Sequence, residues 1–114
     1  MKSDSKIIFS DNENSLLKKI RTAVRSVSPD AVAVLYGSRA RGDAGAESDW
    51  DILILMQGAR GPESEEKFRD ILYDIELETD TVISCIVRSE DEWSSDQYRH
   101  IPLKQEIEKE GIRI

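Results

Sequence analysis

The sequence has one cysteine, Cys85, and one histidine, His100. That scarcity excludes an internal disulfide framework and a zinc centre built from cysteine and histidine. Cys85 reads as a small buried hydrophobe, and His100 has no partner at catalytic spacing. Aromatic residues are only 6% of the chain, and Trp93 and Tyr98, with Ile101, read as packing under the C-terminal segment. Positive charge is short as well: 16 Lys and Arg against 23 Asp and Glu give a net charge of −7. Such a balance repels polyanions and disfavours general nucleic-acid binding. No apolar run approaches the ~20 residues that a membrane helix needs. Met1 to Ile8 lack a signal-peptide pattern, because Asp4 interrupts them and only Ile7, Ile8 and Phe9 are apolar together. The expected location is the cytoplasm.

What is present suits one globular domain. The chain of 114 residues is 39% hydrophobic and 34% charged, and a single domain of ~100–150 residues buries enough surface for a core. Residues 1–114 read as one unit, with its centre at 31–87. Ser10 and Glu13 have capping-box spacing, and Leu16, Leu17, Ile20, Val24 and Val27 repeat at helical intervals until Pro29. Ala31 to Tyr36 is a short apolar strand ended by Gly37, and a short helix fits after that glycine. Trp50 to Met56 is a second strand, nearly continuous in apolar character. Pro62 and the acids Glu63, Glu65 and Glu66 start a helix whose buried stripe is Phe68, Ile71, Leu72 and Ile75. The β-branched run Thr81 to Val87 predicts a third strand. Residues 90–98 suit a short helix, Leu103 to Glu110 another, and Ile112 to Ile114 a short edge strand. The order α-β-loop-β-α-β-α specifies an α/β domain with a small sheet.

The informative segment is Gly37-Ser38, ten residues, then Asp49-Trp50-Asp51. Alternation along a strand puts both acids on one face and Trp50 on the other. Two adjacent carboxylates repel unless a cation intervenes, and for hard oxygen ligands Mg²⁺ is the natural one. Alone, the pair favours the plainer reading of a turn cap at Asp49 and a solvated strand end at Asp51. Gly37-Ser38 changes the balance, because a glycine after a buried strand lets the backbone approach a ligand closely. Free N–H groups at the following turn, with the Ser38 hydroxyl, make an anion cradle. Arg39 and Arg41 add positive charge there, or pair with Asp43 and Glu47. An anion cradle beside a metal-binding acid pair specifies a metal–polyphosphate site. Two other phosphate motifs fail: Asp43-Ala44 stands where a P-loop requires Lys-Ser/Thr, and Arg39 occupies the second glycine of the Rossmann fingerprint. Arg41-Gly42-Asp43 spells the integrin-binding tripeptide, a coincidence without a secretion signal.

The wording GSRARGDAGAESDWDILI, with its G-S-x₁₀-D-x-D spacing, resembles the minimal nucleotidyltransferases of the DNA polymerase β superfamily. The resemblance implies an α/β (α+β) fold, a small mixed sheet flanked by helices. It implies transfer of a nucleoside monophosphate from a nucleoside triphosphate, with ATP the expected donor, to an acceptor hydroxyl. Carried over by position, Gly37 and Ser38 hold the β- and γ-phosphates. Asp49 and Asp51 are the catalytic acids and bind Mg²⁺, in a two-ion site; Arg39 and Arg41 assist phosphate binding or brace the loop. Minimal members often accompany a small helical HEPN protein in toxin–antitoxin pairs, which makes such a protein the expected partner. The alternative is a binding module that neutralises its partner by complex formation, with transfer weak or lost. One departure supports that alternative. Active members usually carry a third carboxylate on a later strand, whereas Thr81 to Val87 has only Ser84 as an interior polar residue. Glu78 and Asp80 lie just before it, and the expectation is that neither sits inside the strand.

Overall fold

The computed structural model describes residues 9–59 and 61–114; the reading of Met1 to Ile8 lies outside them. Helix α1 spans Asp11–Val27 and starts as its sequence requires. Ser10 Oγ accepts from the Glu13 amide at 3.1 Å, and Glu13 Oε1 accepts from the Ser10 amide at 2.8 Å. This reciprocal cap is worth ~1 kcal/mol to the helix. Strand β1 (Val32–Tyr36), helix α2 (Ser38–Arg41) and strand β2 (Trp50–Met56) follow. Helix α3 runs Pro62–Thr79 and strand β3 Ile83–Ser89. The C-terminal part comprises α4 (Glu90–Trp93), α5 (Asp96–Arg99), α6 (Pro102–Glu110) and β4 (Ile112–Arg113). No described helix is long and apolar enough to cross a membrane.

The sheet is mixed, in the order β3-β2-β1-β4. β1 pairs antiparallel with β2 and β4, while β2 and β3 run parallel, joined through α3 as a parallel pair requires. Two expectations need correction. The third strand starts at Ile83 rather than Thr81, because α3 continues to Thr79 and Asp80 then takes the left-handed conformation, φ 55°. Aspartate tolerates that geometry better than most residues. The Glu76 carboxylate then accepts the Ile83 amide at 2.9 Å, fixing where the strand begins. The segment 90–98 forms two short helices, separated at Ser94 and Ser95, not one.

Register assigns the faces. Leu35, Ile52 and Cys85 stand side by side on the back of the sheet, and Tyr36, Asp51 and Ser84 on the front. On the back, Leu35, Ile52 and Ile54 are sealed by Leu16, Ile20 and Val24 of α1 and by Phe68, Leu72 and Ile75 of α3. Phe68 is fully buried, worth ~2–3 kcal/mol in apolar transfer. A smaller front core joins Val34, Leu53 and Leu55 to Trp93 and Ile107. Trp93 is buried as its aromatic character requires, and its indole N–H donates to Glu108 at 2.9 Å. Tyr98 is partly buried against this core, whereas Ile101 is exposed. The result is a helix–sheet–helix domain whose front cover ends near Asp51 and Ser84.

Candidate functional site

β1 ends in Tyr36, and the chain turns at Gly37 with φ 76° and ψ −158°, a conformation that only glycine adopts without strain. A Cβ at Gly37 would lie 2.3 Å from Asp51 Oδ2. The missing side chain is therefore what lets the Asp51 carboxylate rest against the backbone of this turn. α2 begins at once: the Gly37 carbonyl accepts the amides of Ala40 and Arg41, each at 3.0 Å. Asp49 precedes β2 and is exposed; Asp51, two residues on, is half-buried and projects to the same face. Gly37 thus meets Asp51 at one end of the front face, with Ser38 next to it in the chain and Asp49 near enough for its charge to act on Asp51.

Electrostatics follow from that arrangement. Burial, then the neighbouring Asp49 charge, raises the proton affinity of Asp51, and Arg41 opposes them. Tyr36 is pushed up to about 12, first by burial and then by Asp51, so its phenol stays protonated near neutral pH. Two carboxylates that repel each other lose that repulsion when a hard cation joins them. Mg²⁺ commonly takes one or two protein carboxylates and completes its shell with water and phosphate oxygens. The donor set fits such an ion, and the bare Gly37 lets the Asp51 carboxylate lie against the turn.

The third acid does not arrive. Glu78 lies in α3 and is ion-paired with Lys19 of α1, on the back of the sheet. Asp80 is the cap residue of α3, upstream of β3. Ser84 is the β3 residue in register with Asp51, and it is exposed. Among the described residues, no group of three His, Cys, Asp or Glu side chains is placed to hold one ion.

The two arginines diverge. Arg41 is exposed, bonded to Asp43 at 3.2 Å and to Glu110 of α6 at 3.2 Å, and its charge is felt by Asp51. Arg39 turns to the other side and stacks on Trp50, with its guanidinium carbon 4.4 Å from the ring centroid. Sequence reasoning missed Tyr36, Glu110 and the second use of Glu13, which bonds Arg39 as well as capping α1. The strand register signals Tyr36; the sequence carries no signal for the Arg41–Glu110 contact across 69 positions. Cys85 is half-buried on the back, where burial pushes its thiol up to about 11. His100 is an exposed cap of α5, remote in sequence from this cluster.

Comparison with known proteins bears on the fold and the family. No curated protein sequence matches the chain. A solved structure, described as the crystal structure of a toxin–antitoxin with AMP-PNP, superposes with a TM-score of 0.61 at 18% identity. The match covers 85% of this chain and 70% of that one, and shows a shared fold. A family model for the nucleotidyltransferase domain matches residues 17–114, a span holding every element from α1 to β4 except the first turns of α1, and the chain belongs to that family.

Proposed function

We propose that this chain transfers a nucleoside monophosphate from a nucleoside triphosphate, with ATP as donor, to an acceptor hydroxyl in the cytoplasm. The observation that carries the reading is the contact of the Asp51 carboxylate with the Gly37 turn, with the Asp49 charge acting on Asp51. That contact supports reading the turn as an anion cradle and the acids as a cation-binding pair. In this reading the turn at Gly37-Ser38 holds the β- and γ-phosphates by backbone N–H groups and the Ser38 hydroxyl. Asp49 and Asp51 hold Mg²⁺, which when bound supplies neutralising charge to the phosphates and the leaving pyrophosphate. The acceptor oxygen bonds to the α-phosphorus, the bond to pyrophosphate breaks, and the hydroxyl proton passes to water or to a base that the acceptor brings. Arg41 adds positive charge at the open side of the cradle. Catalysis of this kind is mainly positioning and electrostatic stabilisation.

The proton is the weak point. Ser84 occupies the β3 position beside Asp51, and a hydroxyl is not an efficient base near neutral pH. Tyr36, held protonated, donates rather than accepts. The isolated chain should therefore transfer slowly, and faster when the acceptor brings its own base.

Ser84 also favours a second reading, in which the chain neutralises a protein partner by binding alone. The toxin–antitoxin neighbour supports a protein partner, and the family resemblance makes a small helical HEPN-type protein the candidate. Incubating the two proteins with Mg²⁺ and ATP labelled at the α-phosphate separates the readings. Label on the partner, absent with Asp51→Asn, is the expected result. A stable complex without label supports the binding module, and neither label nor complex sinks the assignment of this partner.

A further inference from the structure

Arg39 belongs to the same turn as the phosphate cradle, yet its side chain is only 13% exposed and points behind the sheet. Its Nε and Nη2 donate to the Ser48 carbonyl at 3.2 and 2.9 Å, and Nη2 also donates to the Ala46 carbonyl at 3.2 Å. Nη1 donates to Glu13 Oε2 at 3.4 Å, while the plane stacks on Trp50. A guanidinium has about five N–H donors, so these contacts leave almost none for a phosphate. What they grip is informative. Ser48 and Trp50 bracket Asp49, and among the described residues the loop before them is otherwise held by Asp43 N–H to the Ser38 carbonyl, Arg41 to the Asp43 carboxylate, Gly45 N–H to Ser48 Oγ and Ser48 N–H to the Gly45 carbonyl. Beyond Asp49, the Trp50 amide is anchored to the Val82 carbonyl at 2.9 Å. Arg39 is thus the link between the Gly37 turn, the N-terminal cap of α1 and the exposed segment that presents Asp49.

We propose that Arg39 is a positioning residue for the acid pair: it fixes the backbone of 46–48, and through it Asp49, without touching nucleotide. The proposal rests on the reading of Asp49 and Asp51 as metal ligands. Groups that orient ligands are worth ~10–100-fold in metal affinity, and that range is the expected loss. Lysine cannot replace the planar fork, which reaches two carbonyls and a carboxylate together.

The test uses the full chain and Mn²⁺ alone, titrated by the electron paramagnetic resonance of the free ion, with amide hydrogen exchange run alongside. Arg39→Met should lose protection at 46–50 and bind Mn²⁺ ~10–100-fold more weakly, at a temperature where its amide spectrum is that of a folded chain. Arg39→Lys should fall between that variant and wild type, and it serves as the test if Arg39→Met does not fold. Wild-type Mn²⁺ affinity in either folded variant overturns the proposal. If wild type itself binds no Mn²⁺, the metal reading of the acid pair fails and takes the proposal with it, a result distinct from binding that is insensitive to Arg39.

Discussion

Strand β2 has two sides that differ in what they do. Its back residues, Trp50, Ile52, Ile54 and Met56, are all buried beneath α1 and α3. Its front residues begin with Asp51, half-buried, and only then continue as the buried Leu53 and Leu55. One strand therefore divides a sealed core face from a face that opens on a half-buried acid, by parity. The C-terminal helices cover the middle of the front face and leave the row Tyr36, Asp51 and Ser84 at its margin. A half-buried carboxylate, whose proton affinity burial and Asp49 raise, sits one residue from buried side chains.

Substitutions in that strand and the adjoining turn should expose the division, beginning with the back. Ile52→Ala removes a fully buried side chain and should cost ~2–5 kcal/mol in denaturant unfolding. Gly37→Ala comes next: its positive φ and the overlap with Asp51 should cost ~1–3 kcal/mol of strain. The same variant should lose metal and nucleotide binding, which isothermal titration would read in the fraction that folds.

Asp51→Asn should act in the opposite direction. An acid whose proton affinity is raised by folding penalises the folded state once ionised, so the penalty is in force at neutral pH and disappears as pH falls through that group's titration. The nearly isosteric amide escapes it. Without metal, the variant should melt slightly higher than wild type at pH 7, by less than ~5 °C. The gain should vanish below the ordinary aspartate value of 3.8, while Mg²⁺ should stabilise wild type and not the variant. A variant that melts lower at neutral pH would contradict the repulsion assigned to Asp49 and Asp51.

Ser84→Asp should change stability least, since the position is exposed. It places a third carboxylate across from Asp51 and should tighten Mg²⁺ binding. If the missing base limits transfer, the rate on an acceptor lacking its own base should rise ~100-fold or more. An unchanged rate would show that proton removal is not the slow step.

Much of this was legible in the sequence because local rules and burial agreed. Trp50 to Met56 had to be a strand, and Ser10 with Glu13 had to open α1; both stand where periodicity and capping put them. The candidate acid pair and Gly37 were singled out by the G-S-x₁₀-D-x-D pattern, and the structure lays the Asp51 carboxylate against Gly37. Thr81 and Val82 misled, since β-branched residues there form the approach to β3, with Val82 55% exposed. The stop signal was Asp80 in a left-handed conformation, which aspartate adopts only when the surrounding chain selects it. The direction of Arg39 was not legible, because a basic residue in a phosphate-like loop looks the same whether it faces ligand or grips carbonyls. Only the tertiary contact with Trp50 and Glu13 decides it.

The central claim is that the Gly37 turn and the acid pair form one metal–nucleotide site. Titrating the full chain with Mg²⁺ and ATP while recording backbone amide shifts tests it most directly. The account predicts saturable, Mg²⁺-dependent shifts over residues 37–42 and 49–51, with Asp51→Asn greatly reducing them. Unmoved amides in both segments, in a chain that remains folded throughout the titration, would contradict it.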